Sequence, residues 1–583
     1  MKCERVTTMK NQEIAQLLYE IADFLEIEDV EYKPRAYRTA ARNVESLSEP
    51  VEDVYERGEL EAIDGVGESI AEKIADYLET GQLAYYEELK ADLPIDIEAI
   101  TSVSGVGPKT AKKLYFELGV TTLEDLERAA DAGEIAPLEG FGEKSQQSIL
   151  DHVERAKRGQ ERMLLGRADP IARELETRLQ SADEFERVDI VGSFRRRRPT
   201  VGDLDVLATA PNPEAATDVF CTHDDVTEVL ARGETKSSVV VSGDLQVDLR
   251  IVDEREYGAA LVYFTGSKDH NIALRNRAID RDWKLNEYGL FDVGDGDDAR
   301  GGRRIGERIA SETEEAIYNA LELDWIPPEL RENTGELDAS AAGELPDLIE
   351  RSDIRGDLQV HTEYSDGSGT VREMAEAADE RDLEYVLLTD HGPHAPIPET
   401  LDRERFDRQR TDIDEVNADD NVDVTVLQGI EAEITADGLE IPEGWCADCD
   451  LIVAGLHGRL RDPTDRVIDA FRESPIDMFA HPTNRLRTER EPLDLDLDAV
   501  MEAAAAERVA IEINAQPERL DLEWESVKEY RETVRYVVST DAHTTGELDT
   551  MDLGISQARR GWCEVDAVLN TRPLEELQSY FAG

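Results

Sequence analysis

The chain has 583 residues, 40% hydrophobic and 34% charged, enough apolar material for several cores rather than one. It carries 132 acidic against 64 basic residues, a formal net charge of −68, and only 14 lysines, with Lys528 alone after Lys284. Five cysteines exclude a disulfide framework, Cys446 and Cys449 form an isolated CxxC read as reduced structural thiols, and no run nears a membrane span, so a cytoplasmic protein without a membrane partner is expected.

An acid excess of this size would ordinarily repel nucleic acid. At molar salt the Debye length falls to about 3 Å, so distant like charges hardly interact. The composition resembles that of proteins from salt-accumulating halophiles, and on that reading the charge says little about partners; motifs must decide.

Residues 1 to about 155 read as helical, with apolar positions at i, i+3 and i+4 in segments such as EIAQLLYEIADFL. A short pattern recurs there as IDGVGESIAEKI, VSGVGPKTAKKL and LEGFGEKSQQSIL. Its glycines, Gly65 and Gly67 in the first copy and Gly105 and Gly107 in the second, let a helix N-terminus approach a phosphate through backbone N–H groups. Lys73, Lys109, Lys112 and Lys113 follow on the helices. These copies resemble helix-hairpin-helix motifs, which grip the DNA backbone without reading sequence. The third copy has Phe141 between its glycines, and both a DNA turn and a helix-packing turn remain open for it.

From about 160 to 290 helices alternate with β-rich runs such as RVDIVGSF, DLDVLAT, SSVVVSG and LQVDLRIV. In VGSFRRRRPTVGDLDVL a Gly-Ser turn (Gly192, Ser193) suits a triphosphate, and the arginines supply charge to a leaving pyrophosphate. Asp203 and Asp205, two apart on a strand, share one face, and Asp248 on a later strand completes a set of hard oxygen ligands for two Mg²⁺ ions. The stretch NTGELDASAAGELPDLIE is acidic, small-residue-rich and non-periodic, and reads as a linker. Beyond it apolar strands alternate with helices (YVLLTDH, VTVLQGIEAE, LIVAGLH, MFAHP, VAIEINA, YVVSTDAH), each closing on His, Asp, Glu or Asn, as in α/β barrels with functional groups at strand C-termini. Six of the nine histidines lie after residue 360, and imidazoles gathered with carboxylates suit Zn²⁺, Mn²⁺ or Fe²⁺.

Together GSFRR…GDLD, VDLR and YFTGSKDHNIALRNRAI…NEYGLF resemble the family X DNA polymerases, the DNA polymerase β group, over residues 10 to about 330. The resemblance implies that Asp203, Asp205 and Asp248 hold two Mg²⁺ or Mn²⁺ ions. It further implies that Gly192, Ser193, Arg196 and Gly202 contact the triphosphate, and that Tyr263, Phe264 and Gly266 form a sugar-side wall. Asn271 and Arg275 match contacts to the nucleotide and template. Val201 departs from the pattern, where a serine is expected. Lys73 matches a Schiff-base lysine that removes 5′-deoxyribose phosphate, but Ser69 and Tyr32 depart from its usual surroundings, and a phosphate contact fits equally.

The second half resembles the polymerase-and-histidinol-phosphatase (PHP) domain, a distorted (β/α)7 barrel with up to three metals (Mn²⁺, Zn²⁺ or Fe). By that resemblance His361, Glu431 and Asp541 hold one ion, Glu431 with His457 and His481 a second, and Asp366, His391 and His543 a third. Gln359 stands where the first histidine of a His-x-His motif belongs. Arg459, Arg485 and Arg487 are candidate phosphate contacts or a solvated basic face. The whole is a multidomain α and α/β chain similar to the bacterial and archaeal PolX type. The implied divisions are a lyase-like helix-hairpin-helix domain (1–85), a DNA-binding fingers domain (86–158), a nucleotidyltransferase palm (159–260), a thumb (261–335), a linker (336–352) and the PHP domain (353–583). The expected function is repair synthesis by a monomer on gapped or nicked duplex DNA with dNTPs, joined to 3′-end processing or abasic-site cleavage. Two alternatives are a phosphomonoesterase with a DNA tether and a non-catalytic DNA-end scaffold.

Overall fold

The computed structural model describes residues 8–582 apart from 28–32, 46–50, 91–94, 154–161, 295–303, 459–461 and shorter stretches, most of them between 59 and 152. Helices Thr8–Ile27, Lys33–Glu45, Glu68–Thr80, Pro108–Leu118 and Leu123–Asp131 share an apolar core that includes Ile21, Ala40, Ile74 and Leu114. The recurring glycine turns fold alike. Val66 N donates to Ile63 O (3.0 Å), Val106 N to Val103 O (2.9 Å) and Phe141 N to Leu138 O (3.0 Å). Gly65 and Gly140 take φ of 81° and 90°, which a side chain would strain. The third copy therefore makes the same turn despite Phe141.

A five-stranded sheet follows, built from β1 (Arg187–Ile190), β2 (Leu204–Thr209), β3 (Val226–Arg232), β4 (Lys236–Val241) and β5 (Leu245–Ile251), in the order β1-β2-β5-β4-β3. Only β2 and β5 run parallel, and their register sets Asp205 beside Asp248. The alternating burial along β5 turns Val247 and Leu249 into the core and leaves Asp248 on the opposite face. Helices Tyr257–Thr265, Lys268–Ile279 and Glu314–Ala320 then pack against a three-stranded antiparallel sheet, and Arg331, fully buried, pairs with Glu314 there at 2.6 Å.

The second half is a parallel sheet of β6 (Gly356–Val360), β7 (Tyr385–Leu388), β8 (Thr425–Thr435), β9 (Leu451–Gly455), β10 (Met478–Phe479), β11 (Ala510–Asn514) and β12 (Tyr536–Ser539), in chain order. Apart from the two ends of β8, these strands are buried along their length, as parallel strands covered by helices require. A parallel bridge from Val360 to Ala542, with His361 N donating to Ala542 O at 2.8 Å, brings the first strand to the last and nearly closes the barrel.

The two halves pack directly. Leu520 and Leu553 of the barrel join the palm core, and Trp562 joins the thumb core. A Cβ on Gly166 would lie 2.5 Å from the Pro517 ring, so the helix Leu165–Gln180 can approach the barrel this closely only with glycine there. The segment 336–352, expected as a non-periodic linker, instead contains a helix, Glu336–Ala342. Buried Glu336 accepts from Asn333 N (2.8 Å) and Thr334 N (2.6 Å) and lies 2.6 Å from His270 Nδ1. Seven residues are too few to show a helical period, and the acid that suggested a linker is a buried hydrogen-bond acceptor.

Glu314 also pairs with Arg195 at 2.8 Å. Burial opposes its ionisation, but Arg331 and Arg195 draw its carboxyl from the ordinary 4.5 down to about 2. Its contribution to stability is therefore complete above the ordinary range and is lost as pH falls from 4.5 towards 2. Glu314→Gln, which strands the buried Arg331, is expected to cost about 3–5 kcal/mol in urea unfolding at pH 7, with a smaller difference near pH 3.

Candidate functional site

The palm aspartates sit where β2 and β5 lie side by side. Asp203 precedes β2, Asp205 lies on it, and Asp248 faces Asp205 across the parallel pair. Gly192 (φ 68°) opens the short helix Gly192–Arg195, and a Cβ there would meet Asp205 Oδ2 at 2.5 Å, so the glycine is required for this turn to approach the acid. Burial, then Asp203 and Asp248, push the Asp205 carboxyl up to about 6, and burial and Asp248 raise Asp203. Gln246 Nε2 donates to Asp248 Oδ1 at 2.9 Å, and Lys236 Nζ stands 3.4 Å from Oδ2. The three acids are neighbours, but their oxygens do not gather into one group within 4.8 Å as the barrel ligands do. Burial and then repulsion raise the proton affinity of Asp203 and Asp205, and a divalent cation would relieve the repulsion.

The other expected nucleotide contacts border this place. Tyr263 and Phe264 stack edge to face at 5.1 Å, with Arg250 over the Phe264 ring at 4.7 Å. Asn271 Nδ2 donates to Tyr263 O (2.7 Å) and Gly266 O (3.1 Å), and Arg275 Nε to Asn271 O (3.3 Å). A Cβ on Gly266 would meet Asn271 Oδ1 at 2.7 Å. Ser193 lies half-buried in the first turn, and Gly202 lies beside Arg162. Arg196 is tied to Glu332 and to Thr265 O. In the helical region Lys73 Nζ donates to Ser69 O (3.1 Å) and Oγ (3.2 Å), and burial lowers its ammonium below the ordinary value despite Glu72. Gly67 and Gly107 begin their helical turns as expected; Tyr32, Gly105 and the Lys109 side chain lie outside the described residues.

The barrel ligands converge at the strand C-termini on Glu431. One oxygen, Oε1, lies 3.1 Å from His481 Nε2 and 3.4 Å from His457 Nε2. The other, Oε2, lies 3.4 Å from His391 Nδ1 and 3.5 Å from His361 Nε2. Asp541 Oδ1 is 3.2 Å from His361 Nε2, and Asp366 Oδ1 is 3.4 Å from His543 Nε2. Two groups have ligand atoms all within 4.8 Å of one another: His361, Asp366, His391 and His543, and Glu431, His457 and His481. His361 thus sits with the third expected set while still touching the first. Both ring nitrogens of His361, Nδ1 of His391 and of His481, and Oε1 of Gln359 are buried without a hydrogen-bond partner, and a metal held through one nitrogen of a ring would satisfy part of this set. Burial pushes the His391 imidazole down to about 4, so it is a neutral donor near pH 7. His481 and Asp541 hold φ of 28° and 53°, backbone strain located at the ligands themselves.

Supporting side chains fix these donors. Glu433 Oε2 lies 2.6 Å from His457 Nδ1, and its Oε1 accepts from His457 N at 2.9 Å and Gly458 N at 3.1 Å. Glu433 stands two residues after Glu431 on β8, so strand alternation in GIEAE points to it. Arg519 was not legible in the sequence. It lies on the loop after β11, with Nε 3.5 Å from Asp541 Oδ2 and Nη1 donating to Asn484 Oδ1 at 3.2 Å. Arg485 and Arg487, expected as phosphate contacts or a solvated face, both pair with Glu523, and Arg459 lies outside the described residues. A cleft of ≈ 1550 Å³ between palm and barrel passes Gly202 and Gln246, beside Asp203 and Asp248, and is lined opposite by Arg487 and Arg490.

The chain matches the families described as DNA polymerase beta thumb over residues 260–332, helix-hairpin-helix domain over 9–83, SAM-like helix-hairpin-helix tandem over 97–155 and PHP domain over 357–571. It is 33% identical over 581 residues to the DNA polymerase/3′-5′ exonuclease PolX of Bacillus subtilis (strain 168), covering 98% of this chain and 99% of that one. It is also 25% identical to DNA polymerase lambda of Rattus norvegicus over 56% of this chain and 57% of that one. The Arabidopsis thaliana DNA polymerase lambda matches at 25% over 51% and 57%.

Because Glu433 orients His457, Glu433→Gln is expected to weaken divalent-metal binding about 10–100-fold in competition with a chelator. His394→Ala, on an exposed residue that pairs with Glu440, should leave it unchanged.

Proposed function

The chain belongs to the PolX family, and on that premise we propose that it extends DNA 3′ ends at the palm aspartates and trims them at the barrel centre. The observation that carries this reading is the presence on one chain of two separate acid clusters, one on the palm sheet and one at the barrel's strand ends. The palm site, the thumb and the helix-hairpin-helix turns support DNA synthesis from dNTPs on gapped or nicked duplex DNA, as in base excision repair. The proposed division of labour follows residues 1–85, 86–158, 159–260, 261–335 and 353–583, with a monomer as the working unit. No described helix is long and apolar enough to cross a membrane, and a site of action at the nucleoid is proposed.

Mg²⁺ or Mn²⁺ at Asp203, Asp205 and Asp248, and up to three Mn²⁺, Zn²⁺ or Fe ions at the barrel histidines and acids, would supply Lewis acidity for phosphoryl transfer. Ser193, the backbone at Gly192 and Gly202, and Arg196 would hold the triphosphate against the palm. Tyr263, Phe264 and Gly266 would wall the sugar, with Asn271 fixing the backbone of that wall. At the barrel, Arg519 would neutralise the phosphodiester charge beside Asp541, where Gln359 offers a weaker ligand than histidine. The half-buried, depressed Lys73 amine supports a lyase step, and phosphate contact remains the second reading for it.

The test uses a labelled gapped duplex with dNTPs and Mg²⁺ or Mn²⁺ in molar KCl. Asp205→Ala is expected to lower extension by at least about 10²–10³-fold while metal-dependent 3′ trimming persists. His481→Ala should do the reverse. Loss of both activities in either folded variant would overturn the two-site reading. Trimming with no extension by the wild type would favour the phosphoesterase alternative.

A further inference from the structure

One buried arginine of the barrel half reaches the nucleotide side of the palm. Arg560 ends the helix Met551–Arg560, is fully buried and stacks over the Trp524 ring at 4.8 Å. Its Nη1 donates to the backbone carbonyl of Arg196 at 2.6 Å, and its Nη2 lies 3.2 Å from Glu332 Oε1. The same Glu332 oxygen accepts from Arg196 Nε at 3.1 Å and stands 3.4 Å from Arg198 Nη1. Arg196 Nη1 donates to Thr265 O at 2.8 Å, inside the Tyr263–Gly266 wall. Arg196 is therefore held at both ends: its carbonyl by Arg560, and its guanidinium by a carboxylate that Arg560 also holds. Among the described residues its hydrogen bonds run from Nε and Nη1 alone.

Neighbouring contacts keep this joint in place. Arg197, at φ 55°, donates from Nε to Ser556 Oγ at 3.0 Å and pairs with Asp169. Arg559 Nε lies 2.7 Å from Glu329 Oε1. Docking alone does not call for such an arrangement, because apolar side chains of similar volume join two surfaces without desolvating a charge. Three guanidinium groups converge on one buried carboxylate, and the planar fork of Arg560 spans two acceptors that a lysine could not span together.

We infer that Arg560 is a positioning residue of the polymerase reaction, presetting Arg196 to receive the triphosphate of the incoming nucleotide. The exonuclease domain is then a structural wall of the polymerase pocket as well as a second active site. This rests on the reading of Arg196 as a triphosphate contact. Linkage makes the coupling reciprocal: nucleotide binding must tighten the helix Met551–Arg560.

The test is steady-state gap filling by the full chain carrying Arg560→Met, Arg560→Lys, Glu332→Gln or Arg196→Ala, with trimming of a single-stranded oligonucleotide as the internal reference. Arg560→Met and Glu332→Gln are expected to raise KM for dNTP about tenfold with little change in kcat, the pattern of lost binding rather than lost chemistry. Trimming should stay within about twofold, and Arg560→Lys should recover little of the loss. Hydrogen exchange on a gapped duplex with a dideoxy-terminated primer gives a second readout. The matching dNTP should slow amides 551–560 in the wild type and not in Glu332→Gln. An unchanged KM in Arg560→Met, a parallel fall of extension and trimming in both variants, or wild-type exchange indifferent to dNTP would overturn the inference. An unchanged KM in Arg196→Ala would overturn the underlying nucleotide contact instead.

Discussion

Carboxylates held close together against their mutual repulsion are the constraint on which the functional parts of this chain depend. In the palm, strand pairing sets Asp205 beside Asp248, and burial with repulsion raises the Asp205 carboxyl to about 6. In the barrel the same problem is met with imidazoles. Glu431 is fully enclosed, and the imidazoles packed around it hold its carboxyl well below the ordinary range despite that burial. The palm cluster is therefore poised to exchange protons for cations, whereas the barrel cluster is already ordered by its own histidines. This difference follows from ligand type and not from sheet geometry alone.

The same economy of charge appears where the halves meet. A chain with 132 acids and 14 lysines places arginines at this joint: Arg559 on Glu329, Arg560 on Glu332 and Arg197 on Ser556. Guanidinium groups satisfy several fixed acceptors at once and keep their charge when buried. Lys528, the one lysine after Lys284, serves the same boundary, donating to Thr334 O and lying over the Trp562 ring at 3.8 Å.

Much of this was legible in the sequence because the chemistry lies at strand ends, where residue type and alternation are local signals. Asp203, Asp205 and Asp248 are visible as acids interrupting apolar runs, and the barrel ligands as histidines and acids that close each strand. Gln359 was legible as a departure, and its unpartnered oxygen lies inside the site. What was not legible comes from elsewhere in space. Arg519 reaches Asp541 from a loop with no periodicity, and Arg560 meets Arg196 across 364 residues of chain. The helix Glu336–Ala342 was hidden for another reason: two turns are too short for a pattern, and buried Glu336 resembles a surface acid until its partners are known.

The central claim is that one chain carries two cation-dependent acid clusters that act separately. Calorimetric titration of Mn²⁺ into metal-free protein addresses it directly, using the wild type, Asp205→Asn and Glu431→Gln. The account predicts two classes of site, with Asp205→Asn removing one and Glu431→Gln the other. Loss of all Mn²⁺ binding from either single substitution, or binding untouched by both, would contradict it.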